Sequence, residues 1–282
     1  MGKTHRVLVA SLAVLGSVAS SCGSDAKDTA ATTAATSTPA ATATAASNTA
    51  SATTVPTMTG TITVFAASSL TEAFTEMGAA FEKANPGAKV IFSFGGSGDL
   101  VTQIGQGAPA DVFASADDSN MTKLVEAGNA SGTPTVVAKN SLEIITEAGN
   151  PKGIATLADL ATPDLVVVLC ATTAPCGKLA ALVLKTAGVT VVPKSLEDKV
   201  KGVVTKVTMG EADAGIVFAT DVQAAGSKAT GVAIPAEQNA VTNYSLVVTK
   251  QATNTTTASA FIASVASPAG QAILAKYGFL AP

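Results

Sequence analysis

The chain has 282 residues, 47% of them hydrophobic, and a formal net charge of −3 from 17 Lys and Arg against 20 Asp and Glu. That near balance, without a basic block, argues against nucleic acid as a partner. The one His (His5) and the one Arg (Arg6) both stand at the extreme N-terminus, so the rest of the chain lacks Ser-His-Asp and Cys-His nucleophile systems, His-based metal sites and bidentate Arg clamps. The expectation is a binding protein, not an enzyme.

Lys3, His5 and Arg6 precede an apolar run at 7–18 and then Ala19-Ser20-Ser21-Cys22. This pattern reads as a secretory signal at 1–21 ending in a lipobox, with Cys22 as the lipid anchor on the outer face of the cell membrane. The alternative is an ordinary signal cut near Ser21, with Cys22 incidental. The run is shorter than the roughly 20 apolar residues that a membrane-crossing helix needs. Residues 22–58, almost all Ala, Thr and Ser with scattered Pro, cannot bury enough apolar surface to offset ordering, so a tether is expected. Its Ser/Thr density would also suit O-glycosylation.

From 59 onward, β-rich and helical patterns alternate. A strand at 62–66 leads into Ser69-Leu70-Thr71-Glu72, a capping-box pattern, before Leu70, Phe74, Met77 and Phe81 at helical spacing. Asn85-Pro86-Gly87 ends that helix, a strand follows at 89–94, and Gly95-Gly96-Ser97-Gly98 opens a second helix. Further strands are expected at 111–115, 141–146, 165–169, 214–218 and 244–249. Further helices are expected at 118–127, from Pro175 to Gly188, at 196–209, and around 261–265 and 268–277. Such alternation implies an α/β fold with mainly parallel, doubly wound sheets and a ligand at the C-terminal ends of the strands.

Three strand-to-helix turns share one chemistry: Ala66-Ala67-Ser68-Ser69-Leu70, Phe94-Gly95-Gly96-Ser97-Gly98 and Ala174-Pro175-Cys176-Gly177. Small residues at a helix N-terminus let an oxyanion approach unpaired backbone N–H groups at the positive end of the helix dipole. Ser69 and Ser97 would add hydroxyl donors; the plainer reading makes them N-caps and the glycines turn residues. Asp99 would offer the acceptor that a protonated oxyanion such as hydrogen phosphate needs, or would favour the first helical turn through the dipole. Asp117, Asp118 and the lysines at 194–206 read as solvated helix surface. With Cys22 lipidated, Cys170 and Cys176 remain as a pair in an oxidising compartment, which predicts a disulfide; two buried thiols are the alternative.

The segments Val64-Phe65-Ala66-Ala67-Ser68-Ser69-Leu70, Gly107-Ala108-Pro109-Ala110-Asp111-Val112-Phe113-Ala114-Ser115-Ala116-Asp117, Gly215-Ile216-Val217-Phe218-Ala219-Thr220-Asp221 and Ser267-Pro268-Ala269-Gly270-Gln271 through Lys276-Tyr277-Gly278-Phe279 closely resemble the periplasmic molybdate-binding proteins of ABC transporters, the ModA family. The resemblance implies a type II periplasmic-binding-protein fold with two doubly wound α/β lobes joined by crossover strands. The lobes would be 59–139 plus 250–282, and 140–249. It further implies a monomer that captures molybdate or tungstate, with no cofactor and molybdenum present only inside the oxyanion, and that delivers it to a membrane permease. By matching positions, the anion would be held by Ser69 and Ser97 from one lobe and by the backbone N–H groups of Cys176 and Val200 from the other. The family's usual Tyr hydroxyl falls on Phe218, which has no donor; water, Thr220, Tyr244 or a backbone N–H would have to compensate. The expected cleft contains no cationic side chain. The remaining alternatives are sulfate or phosphate as the ligand, or a surface or sensory lipoprotein without a transport role.

Overall fold

The computed structural model describes residues 58–282. The expected signal, Cys22 and all of the tether except Met58 lie outside the described residues. Nine strands and eight helices follow in chain order: β1 (Thr59–Ala67), α1 (Thr71–Ala84), β2 (Gly87–Gly95), α2 (Ser97–Gly105), β3 (Val112–Ser115), α3 (Asp118–Glu126), β4 (Ala130–Glu147), β5 (Val167–Cys170), α4 (Pro175–Thr186), β6 (Ser195–Glu197), α5 (Val200–Thr208), β7 (Ala214–Phe218), α6 (Ala219–Ala225), β8 (Ala229–Ala233), β9 (Val241–Thr249), α7 (Thr255–Ala266) and α8 (Pro268–Lys276).

The strand order is β2-β1-β3-β9-β4-β7-β5-β6, with β8 also on β4. Parallel pairs lie at the two flanks, where β1 joins β2 and β3, and β5 joins β6 and β7. The long strands β4 and β9 run antiparallel to each other and to their neighbours between the flanks. This is the two-lobed, doubly wound α/β architecture with crossover strands. The pairing is less uniformly parallel than βα alternation suggests, because β4 and β9 cross between the flanks and must return against their neighbours. Both flanks direct the C-terminal ends of their parallel strands, Ala67, Gly95, Cys170 and Glu197, into turns that enter the next helix or 3-10 turn.

Burial explains the strand positions. Val112 to Ser115, Val167 to Cys170 and Ala214 to Phe218 are buried at every residue, as expected of parallel strands covered on both faces. On α1, Phe74, Met77 and Phe81 face inward. Phe74 and Phe81 pack edge-on against Phe261 of α7, with centroids 6.1 and 5.5 Å away.

Two local readings need correction. The helix expected at 196–209 begins only at Val200, because Ser195–Glu197 pairs with β5 as the edge strand β6. The three-residue strand is too short to leave a periodic signal of its own. The capping box at Ser69 to Glu72 also does not form: Ser68–Leu70 is a single 3-10 turn, and neither it nor α1 has a side-chain cap. The Ser69 hydroxyl meets Tyr244 instead, and Glu72 accepts from Lys201.

Candidate functional site: a cavity walled by uncapped helix N-termini

α3, α7 and α8 are capped by the side chains of Asp117, Asn254 and Ser267, which accept from backbone N–H groups of the first turn. α2, α4 and α5 are preceded by Gly96, Ala174 and Lys199 and have no side-chain cap. Their leading amides are therefore left for another acceptor. In α4, Pro175 has no N–H, and the amides of Gly177 and Lys178 both donate to the Ala174 carbonyl, so Cys176 carries the first free amide. In α5 the amide of Gly202 donates to Lys199, and Val200 precedes it as the first helical residue.

These three helix starts converge with the turn after β1 on one small cavity. It is lined by Ser69, Ser97, Cys176, Val200 and Phe218 together with Ala67, Ser68, Gly95, Gly96, Ala116, Ala174, Pro175 and Lys199. Its volume, about 10 Å³ for the centre of a water-sized sphere, fits a compact ion better than a sugar or peptide. The four residues that the resemblance implies as anion donors, Ser69, Ser97, Cys176 and Val200, and Phe218 at the position of the usual Tyr are buried and stand on its wall.

The Ser97 hydroxyl is poised to donate. The Ala116 N–H donates to Ser97 Oγ at 3.2 Å, which occupies an acceptor site and leaves the Ser97 proton for the cavity. Ser69 Oγ lies 2.8 Å from the Tyr244 phenol. Phe218, completely apolar, closes the wall and packs edge-on against Tyr244, with centroids 5.8 Å apart. Thr220, another candidate to compensate for the missing phenol, accepts from the Asn140 amide at 2.8 Å and is absent from the cavity lining.

Three charged residues near these helix starts have distinct placements. Lys199 is among the residues that line the cavity, a cationic residue that the expected cleft did not include. As the extended residue that precedes α5, it cannot avoid the cavity rim. Asp99 is exposed in the first turn of α2 and absent from the lining, which fits the helix-dipole reading and leaves a protonated anion without this acceptor. Asp117 is not solvated surface: it is buried, caps α3 and accepts from Lys178 of α4 at 2.9 Å. Among the described residues, no group of three or more His, Cys, Asp or Glu side chains is placed to hold a metal ion.

The predicted disulfide is present, Cys170 to Cys176, with Cα atoms 5.8 Å apart. It ties the end of β5 to the amide at the mouth of α4.

Behind Phe218, Lys201 of α5 joins Glu72 of α1 at 2.9 Å and lies 3.2 Å from Asp221 of α6. Asp221 is fully buried, and its carboxylate oxygens are not aligned as hydrogen-bond acceptors. Burial pushes its pKa up from 3.8 to about 6, opposed by the Lys201 charge and assisted by Glu72. The folded state thus holds the Asp221 proton more tightly than the unfolded chain, so its contribution to stability falls as pH rises from about 4 to about 6 and stays lost above that. Asp221→Asn should therefore melt with the wild type near pH 4.5 and roughly 5 °C above it at pH 7.5. Measuring the difference between the two proteins cancels the opposite trend of Glu76, Glu82, Asp159 and Glu197, whose pKa values are lowered by hydrogen bonds. Parallel melting curves across that range would contradict the buried charge.

Comparison with known proteins gives the same picture. The molybdate-binding protein ModA of Mycobacterium tuberculosis is 42% identical over 222 residues, covering 79% of this chain and 85% of that protein. In solved structures, the periplasmic molybdate-binding protein of Azotobacter vinelandii superposes with a TM-score of 0.70 at 24% identity, covering 78% of this chain and 99% of that one. The sulfate-binding protein SubI of M. tuberculosis also gives 0.70, at 21% identity and coverages of 79% and 86%. At those identities both structures speak to the fold alone. Residues 62–280 match the bacterial extracellular solute-binding proteins, and with the crossover fold and the cavity between its flanks, the chain belongs to that family.

Proposed function

We infer that this extracytoplasmic protein captures molybdate or tungstate and delivers it to the permease of an ABC importer. The observation that carries the reading is the convergence of three uncapped helix starts and two buried serine hydroxyls on a cavity of ion size. Removing a dianion from water costs tens of kcal/mol unless aligned donors replace its hydration shell. The proposed donors are the Ser69 and Ser97 hydroxyls and the backbone N–H groups of Cys176 and Val200, with Phe218 as an apolar wall. Molybdate, tungstate and sulfate need no acceptor from the protein, so a donor-only cavity suits all three. The molybdate proteins among the similar sequences favour the larger anions.

Cys22 would anchor the protein to the outer face of the membrane through the tether. Lobes 59–139 plus 250–282 and 140–249 would separate to admit the ion and close on it, and the permease would engage the closed monomer. Isothermal titration of the purified protein should give a dissociation constant for molybdate at or below about 1 μM and sulfate binding at least ~100-fold weaker. Absence of molybdate heat at micromolar protein would remove the reading. Sulfate binding as tightly as molybdate would reassign the ligand.

A further inference from the structure

Tyr244 of β9 is fully buried and does not line the cavity, yet its phenol oxygen lies 2.8 Å from Ser69 Oγ. Among the described residues, the other polar group within reach is the Asn140 amide, 3.4 Å away. The orientation of that amide is set by its surroundings. Its carbonyl oxygen accepts from the Ser141 N–H at 3.0 Å, which turns the amide nitrogen toward Thr220 Oγ1 at 2.8 Å and toward the phenol.

The directions then follow. Asn140 donates to the phenol oxygen, so the single phenol proton has one acceptor available among the described residues, Ser69 Oγ. Were Ser69 to donate instead, the phenol proton would be buried without a partner, an arrangement that costs about 1–3 kcal/mol. With its oxygen accepting from Tyr244, Ser69 can aim its own proton only away from the phenol, into the cavity it lines. Burial, followed by the nearby Asp221 charge, pushes the phenol pKa up, which keeps the proton on the ring oxygen.

We propose that Tyr244 is a positioning residue for anion capture: an oriented chain, Asn140 to Tyr244 to Ser69 to anion, makes Ser69 an obligate donor and offsets the absence of a hydroxyl at Phe218. The chain rests on the oxyanion reading of the cavity and deepens it by assigning selectivity. A Ser69 that cannot accept disfavours oxyanions that still carry a proton.

The test is a double-mutant cycle on the whole protein, with molybdate and hydrogen arsenate as probes and the melting temperature of each variant as a folding control. Tyr244→Phe should weaken molybdate binding about tenfold and hydrogen arsenate less, because the released Ser69 can then accept. In a Ser69→Ala background the same change should cost less than about twofold, since its effect passes through Ser69. A purely structural role would cost the same in both backgrounds, and that result, or unchanged molybdate affinity in Tyr244→Phe, overturns the chain. If Tyr244→Phe does not fold, Asn140→Ala enters the same cycle, and additive losses there overturn it equally. Wild type that binds neither molybdate nor tungstate would defeat the oxyanion reading itself, which the first titration separates from failure of the chain.

Discussion

Gly96→Ala should abolish tight anion capture, weakening molybdate binding at least ~100-fold, while shifting the melting temperature of the ligand-free protein by no more than a few degrees. A Cβ at position 96 would stand 2.4 Å from the backbone carbonyl oxygen of Asp198 in the β6–α5 turn. Van der Waals contact requires about 3.5 Å, so the start of α2 and the start of α5 would have to separate by roughly 1 Å. Donor–anion distances near 2.9 Å would then open beyond the range of a hydrogen bond. Ser97 from one flank and Val200 from the other could not both reach one ion. The same close approach occurs at Gly98, whose Cβ would meet the Thr173 carbonyl at 2.6 Å. Gly105→Ala, at the far end of the same helix and facing only Asn129 at 3.8 Å, is the control and should bind like wild type. Calorimetric titration checks both, and a Gly96→Ala protein within tenfold of wild type would show that contact between the turns is dispensable.

Loss of the disulfide should act on stability and binding together. Cys170 and Cys176 close a loop with a sequence separation of 6, for which loop-closure entropy gives about 2 kcal/mol and thus a fall in melting temperature of roughly 4–8 °C. The Cys170→Ser/Cys176→Ser protein, or wild type in strong reductant, should also bind molybdate roughly tenfold more weakly, because the bridge holds the Cys176 amide at the cavity. The loop is otherwise tightly folded. Ala174 N–H donates to Ala171 at 2.9 Å, Ala171 N–H donates to Glu197 at 2.8 Å, and a Cβ on Gly177 would stand 2.1 Å from the Ala171 carbonyl oxygen. These contacts should keep the turn folded after reduction, so a moderate loss is expected. Unchanged melting temperature and unchanged affinity in reductant would show that they suffice alone.

Much of this protein was legible from residues in order. The apolar runs at β5 and β7, the helical spacing of Leu70, Phe74, Met77 and Phe81, and the small-residue turns before α2 and α4 are local patterns, and local patterns fix local elements. Composition narrowed the chemistry, because a chain with no Arg or His after residue 6 has few ways to hold an anion other than backbone amides, hydroxyls and lysines. The clustering of Ser69, Ser97, Cys176, Val200 and Phe218 was expected through resemblance to a family; spacing alone could not supply it.

Tertiary structure decided what depends on partners distant in sequence. Ser69 looks like a cap but caps no helix; its hydroxyl meets the phenol of Tyr244, 175 residues away. Lys199 looks like solvated surface but lines the cavity, and Glu72 looks like half of a capping box but pairs with Lys201. The edge strand β6 exists because β5 offers it a parallel partner. For Ser69, Glu72 and the β6 segment, a satisfactory local arrangement gives way to a better distant one. The choice between them rests on burial, which raises the cost of an unpaired polar group and so rewards the partner that the fold brings near.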